Sequence, residues 1–140
     1  MIIKNIFEKV HEQFYFVFRV LVGLMLCLHG AQKFGIFGNM TVPGFAGAMG
    51  LPIALAYAVA TIEFIGGIAI LLGLYTRLAA LLGSFVMIGA LVLAHFPQGL
   101  NPLTNKGELA IMYLVSFLVI LIYGAGVYAL EKAFSKKELF

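Results

Sequence analysis

The chain has 140 residues, 63% of them hydrophobic and only 11% charged, with a formal net charge of +3 and a mean hydropathy of +1.07. A soluble domain is about 45–50% apolar and about 25% charged, so an ordinary soluble domain is excluded, and the same hydrophobicity excludes disorder. A lone Cys27 excludes a disulfide scaffold, a CxxC pair and a cysteine metal or iron–sulfur site within one chain, and nine scattered cations make no basic patch for nucleic acid.

What remains is a small integral membrane protein, and its elements follow in chain order. Lys4, Glu8, Lys9, His11 and Glu12 make the N-terminus too polar for the apolar region of a signal peptide. Ile2, Ile3, Ile6, Phe7 and Val10 recur at helical spacing, which predicts an amphipathic lead-in over residues 1–13 on the membrane surface. The first span is expected over residues 14–34, carrying Arg19, His29 and Lys33 and closed by Gly35 and Gly38. The connection that follows is apolar, and a short helix after Pro43 is expected there, in the outer interface or folded over the bundle mouth. The second span, residues 52–75, carries only Glu63, and Pro52 suits its first turn. The third, residues 78–96, ends on His95 and is closed by Pro97 and Gly99. A polar connection leads to the fourth, residues 108–130, which opens on Glu108. The apolar runs are continuous rather than alternating, so helices are favoured over barrel strands. The expected fold class is all-α: one membrane domain over residues 1–140, an integral membrane four-helix bundle.

Four spans put both termini and Arg77 on one side, together with Lys4, Lys9, Arg19, Lys132, Lys136 and Lys137. Lys33 and Lys106 fall on the other side. The positive-inside rule makes the first side cytoplasmic.

Charge inside a bilayer costs at least about 2.5–3.5 kcal/mol per residue on insertion scales, so such residues face the bundle interior and find partners. Glu63 lies ~16 Å from the outer end of its span, near the midplane. His29, Lys33, His95 and Glu108 occupy the outer half, and Arg19 and Arg77 the inner side. The six pocket candidates are Glu63, His29, His95, Lys33, Glu108 and Arg19, forming an outward-facing polar pocket with Glu63 at its floor. Plainer readings stand beside this one: Lys33 and Arg19 snorkelling to the interfaces, Arg77 as an anchor, Glu108 as a helix N-terminal acid. Glu63 resists a plain reading, because nothing at that depth lets it reach water. His29 is the favoured partner for Glu63, with Arg19 and His95 as alternatives.

Two further patterns bear on packing. Gly23 to His29 and Gly89 to His95 both read glycine, five apolar residues, histidine, an echo that suggests two helix hairpins around a common site. Gly23, Gly30, Gly66, Gly67, Ala79, Ala80, Gly83 and Gly89 mark faces where backbones can approach closely.

A series of short motifs runs along the chain: Arg19 ahead of Gly23, His29-Gly-Ala-Gln-Lys-Phe34, Gly50-Leu-Pro52, Glu63-Phe-Ile-Gly-Gly67 and Leu72-Gly-Leu-Tyr-Thr-Arg77. It continues with His95, Asn105-Lys-Gly-Glu-Leu109, Gly124-Ala-Gly126 and Leu130-Glu131. In the order and spacing of these residues the chain resembles the DoxX family of small four-helix membrane proteins. The family's last motif is usually Gly-Pro-Gly followed by Ser-Leu-Asp, from which this chain departs mildly. The resemblance implies a bacterial-type inner membrane and a four-helix bundle. Some relatives are assigned to thiosulfate:quinone oxidoreduction or to membrane redox complexes, and related eukaryotic members resemble assembly chaperones, so function must be argued from the site.

A quinone needs an apolar slot with donors and proton carriers at its carbonyls, which His29 or His95 with Glu63 could supply. Two histidines at matched depth also suit b-type haem, but nothing else in the sequence supports it. An outward pocket above a midplane acid also suits a small cation or an amphiphile, and so small a transporter would oligomerise. The expectation is a redox-associated, quinone-linked or small-molecule-binding protein, without a claim of catalysis. The runner-up is a non-catalytic membrane chaperone or an assembly subunit. The expected partners are the lipid bilayer and either a second protein or further copies of the chain. Cys27, within an apolar helix, is expected to be chemically inert.

Overall fold

The computed structural model describes residues 2–135, excepting the side chains of residues 2–6, 8 and 9. Among them the elements are α1 (Ile2–Lys33), α2 (Val42–Met49), α3 (Ile53–Leu72), α4 (Thr76–Ala90), a π turn (Leu91–His95), a 3₁₀ turn (Phe96–Gln98), α5 (Glu108–Tyr123) and α6 (Leu130–Ser135). No strand occurs among the described residues. Val10–Lys33, Ile53–Leu72 and Thr76–Gln98 are each long and apolar enough to cross a membrane. The apolar α5 is shorter, at 16 residues. The chain forms a membrane helical bundle in which α1 packs on α3, α3 on α4, α4 on α5, and α5 returns to α1.

Small residues set the α1–α3 seam. Gly30 lies against the backbone of Phe64, Gly67 against Cys27 and Gly23 against Leu71. A Cβ at any of the three would come within 2.3–2.4 Å of a backbone nitrogen. The absent side chains let the two backbones touch, as close helix pairs in membranes require. The antiparallel register that results puts Glu63 level with Ala31, between His29 and Lys33 on the facing helix. It also leaves the first two turns of α3 without α1 beside them. The short α2 covers that gap, packing Val42 and Ala46 against Ala56 and Ala60. Thr41 starts α2 by accepting the Gly44 N–H at 3.2 Å, and Pro43 sits in its first turn. The short helix expected after Pro43 is therefore present.

The opposite end is tied by side chains that cap backbone. Arg19, 1% exposed, donates to the carbonyls of Ile70, Leu71 and Tyr128. It thereby satisfies the C-terminal turn of α3, and a cation there also suits the helix dipole. Arg77 does the same for α5, donating to Leu121 and Ile122. Tyr75 stands at φ 47 ahead of α4, and its N–H donates to the buried Glu131 carboxylate at 3.0 Å.

Three element boundaries fall elsewhere than the sequence pattern alone places them, the second within the few residues to which such boundaries are read. The fourth span ends at Tyr123 rather than Leu130, because Gly124 and Gly126 adopt positive φ (68 and 71) and turn the chain under the bundle. The second span ends at Leu72, where Gly73 takes the left-handed cap. Residues 2–13 are not a separate lead-in: they continue α1 without interruption. The apolar face assigned to Ile2, Ile3 and Ile6 lies outside the described side chains, and Lys136 and Lys137 lie outside the described residues.

Candidate functional site

At the Arg19 end α3 and α4 are close, with Gly66 opposite Ala79. Toward the Lys33 end they part around a cavity of about 450 Å³. Its walls are apolar: Leu55, Val59 and Ile62 from α3, Leu82, Val86 and Leu93 from α4 and the π turn. Phe45 and Met49 of α2 close it above, and Tyr113 of α5 lines it behind. Its rim residues Leu55, Phe85 and Leu93 are exposed. This volume and lining fall in the range of small-molecule sites, which are mostly apolar with a few placed polar groups (~300–1,000 Å³).

The polar groups are few. Lys33, last in α1, forms an ion pair with Glu63, and the two side chains are 13% and 7% exposed. The Lys33 ammonium also stands 5.0 Å over the Phe45 ring, a cation–π contact that ties α2 to the pair. His29 meets Tyr113 edge to face, with centroids 5.7 Å apart. Within the described residues no hydrogen bond engages the His29 ring or the Tyr113 hydroxyl, so both keep their donor and acceptor capacity for the cavity.

His95 arrives by a different route. It lies five residues beyond Ala90, and both line the cavity. On an ideal α-helix five residues rotate the side chain about 140° away. The π turn over Leu91–His95, with the Phe96 N–H bonded to the Leu91 carbonyl, absorbs one extra residue and returns His95 to the cavity face. His95 Nδ1 is 2.9 Å from the Asn105 carbonyl oxygen. The Asn105 side chain, 1% exposed, donates to the Gly99 carbonyl at 2.6 Å and accepts the Gly107 N–H at 2.7 Å, so the connection that holds His95 is itself fixed.

Four of the six sequence candidates therefore share one cavity: Glu63, His29, Lys33 and His95. Two do not. Glu108 is exposed at the first turn of α5, where an acid suits the helix dipole, and Leu109 and Ala110 line the cavity in its stead. Arg19 is held at the opposite end by three carbonyls. The expected pairing of Glu63 with His29 is also corrected. The glycine seam sets Glu63 midway between His29 and Lys33, and the longer, charged lysine side chain takes the carboxylate. Sequence reasoning missed Tyr113, although it carried a signal, a hydroxyl inside an apolar run, which normally needs a partner. Asn105 stood out in the sequence within the polar connection and the Asn105–Leu109 motif, but its part in holding His95 did not. The glycine–histidine echo holds for the histidines, which both reach the cavity, but not for the glycines: Gly23 closes the α1–α3 seam, while Gly89 lines the cavity and a Cβ added there would point into open space.

An all-helical bundle with apolar spans and a polar cluster in an apolar cleft defines a membrane protein, and comparison with known proteins gives its family. The DoxX family model matches residues 14–96, so the chain belongs to the DoxX family. It is 39% identical over 136 residues to a Haemophilus influenzae protein named "Uncharacterized protein", covering 95% of this chain and 99% of the relative. A Bacillus subtilis protein named "Putative oxidoreductase CatD" is 32% identical over 114 residues, 81% of each chain. The Escherichia coli "Inner membrane protein YqjF" is 31% identical over 132 residues, 93% of this chain and 98% of the relative. No solved structure matches.

Proposed function

We propose that this protein is a multi-pass inner-membrane component of redox metabolism that holds a lipid-soluble, quinone-type molecule in the cleft between α3 and α4. The observation that supports this is the combination within one cavity: long apolar walls with an exposed apolar rim, and a small polar wall of Lys33, Glu63, His29 and Tyr113. The walls suit a hydrocarbon tail. The polar wall supplies an ammonium, a phenol and imidazole nitrogens for ring oxygens. The Bacillus subtilis relative's name, an oxidoreductase, agrees with a redox role. In this reading both termini are cytoplasmic and the Lys33 end of the cavity faces outward, as the distribution of Lys and Arg favours.

The test is retention of ligand. The protein, extracted in mild detergent into lipid nanodiscs, is expected to carry a stoichiometric isoprenoid quinone by mass and absorption spectra. Lys33→Met and Glu63→Gln variants are expected to lose it. A protein free of any lipophile, copurifying instead with a stoichiometric partner protein, would favour the alternative of an assembly subunit or chaperone.

A further inference from the structure

His95 has a fixed tautomer. A carbonyl oxygen only accepts, so the 2.9 Å contact between His95 Nδ1 and the Asn105 carbonyl places the proton on Nδ1. In the neutral ring Nε2 is then an acceptor, and no described residue donates to it. Two structural features hold this arrangement in place. The π turn brings the ring to the cavity wall, and the buried Asn105, bonded to Gly99 and Gly107, keeps the accepting carbonyl where it is. Of the other polar groups of the cavity, Lys33 and Lys106 bring donors, the Glu63 carboxylate already accepts from Lys33, and His29 and Tyr113 can each donate or accept. His95 differs from them in that its Nδ1–H is committed to Asn105, so its neutral ring offers the ligand an acceptor alone.

We infer that the site selects the hydroxyl-bearing, reduced form of its ligand, a quinol, with His95 Nε2 accepting the ring O–H. This rests on the quinone-type reading above and narrows it. A ring carbonyl facing Nε2 would set one acceptor against another, with no hydrogen between them. A hydroxyl completes the bond, so His95 is a specificity-determining residue between the two oxidation states. A site that hydrogen-bonds a ligand hydroxyl discriminates against the analogue lacking it, because its own polar atom is left unpaired.

The experiment uses the full chain in nanodiscs with three probes: a decyl-substituted benzoquinol, its dimethyl ether and the corresponding quinone. The wild type is expected to bind the quinol at least about tenfold more tightly than the ether or the quinone, a ratio of the order one hydrogen bond supplies. His95→Phe is expected to abolish that preference, bringing the quinol-to-ether affinity ratio to about one. In histidine-labelled wild type, nitrogen-15 NMR is expected to show one ring with unprotonated Nε2 whose signal moves on adding quinol, a readout that needs no variant. Equal binding of quinol and ether by the wild type, or a preference that survives His95→Phe, overturns the inference and leaves the quinone-type reading standing. Failure of all three probes to bind overturns both.

Discussion

Lys33 closes α1 and Glu63 is the eleventh residue of the 20-residue α3, yet the two form an ion pair across the α1–α3 seam. Both side chains are largely withdrawn from solvent. Removing one partner of a buried pair leaves an uncompensated charge and costs about 3–5 kcal/mol, whereas replacing both with groups of similar shape costs far less. Glu63→Gln alone is therefore expected to lower thermal stability in detergent substantially, and Lys33→Met with Glu63→Gln to recover most of the loss. Additive losses in that double-mutant cycle would mean that the pair is not coupled.

Arg19 has a structural task, and its removal should show it. Three backbone carbonyls from α3 and the segment after α5 lean on one guanidinium, which also stacks 5.6 Å over Phe16. Lysine cannot reproduce the planar fork. Arg19→Lys is expected to cost about 2–4 kcal/mol, several hydrogen bonds' worth. Arg77→Lys, at a less buried site, is expected to cost less. Folded Arg19→Lys protein should still retain ligand, because the cavity lies at the other end. Thermal melting combined with ligand extraction from the folded fraction separates the two effects.

The topology has its own check. If both termini are cytoplasmic, as proposed above, a reporter fused after residue 140 is expected to be active only if it is of the cytoplasmic type, and a cysteine introduced at Gln98 should be labelled from outside the cell. Labelling of Gln98→Cys only after permeabilisation would reverse the orientation.

How much of this was legible in the sequence follows from what each feature depends on. Span existence depends on composition, and the apolar runs around Glu63 and His95 showed it directly. Span ends depend on backbone conformation. Gly124 and Gly126 could have been packing glycines as readily as turn glycines until the chain was seen to fold back over Arg19. The partner of Glu63 depends on register between two helices. Register was set by Gly23, Gly30 and Gly67 acting together, and no single glycine announces which residue it will face. The tautomer of His95 depends on a carbonyl ten residues away and on a π turn, neither of which has a periodic signature. The sequence offers Arg19 as a pocket candidate by its charge, from the inner side, and Glu108 by its charge and its depth at the outer side. Burial against carbonyls in one case, and exposure at a helix start in the other, removed them.

Cys27 is expected to be silent. It lies half-buried in the glycine seam, its backbone against Gly67. An apolar site leaves a thiol unreactive. Cys27→Ala should retain ligand and melt within about 1 kcal/mol of wild type, the range for a small change at a partly buried site. Loss of ligand in a normally folded Cys27→Ala protein would restore thiol chemistry to consideration.

The glycines at the seam and beside it offer the sharpest contrast. Gly66 and Gly67 are neighbours on α3 but face different helices. A Cβ on Gly67 would meet Cys27 N at 2.3 Å and Cys27 Cα at 2.6 Å, both backbone atoms that cannot swing aside. A Cβ on Gly66 would meet only the Ala79 methyl, at 3.8 Å, an ordinary contact. Gly67→Ala must therefore push α1 from α3, and overpacking of this kind costs about 1–3 kcal/mol or more. The same displacement draws Lys33 away from Glu63, so ligand retention should fall together with stability. Gly66→Ala relieves the helix of a glycine without a clash and is expected to be neutral or to stabilise by up to about 1 kcal/mol. Paired melting curves and ligand extraction for the two variants decide the matter. Equal behaviour of Gly66→Ala and Gly67→Ala would mean that the α1–α3 seam is looser than the register described here, and that the reach of Lys33 to Glu63 is not fixed by it.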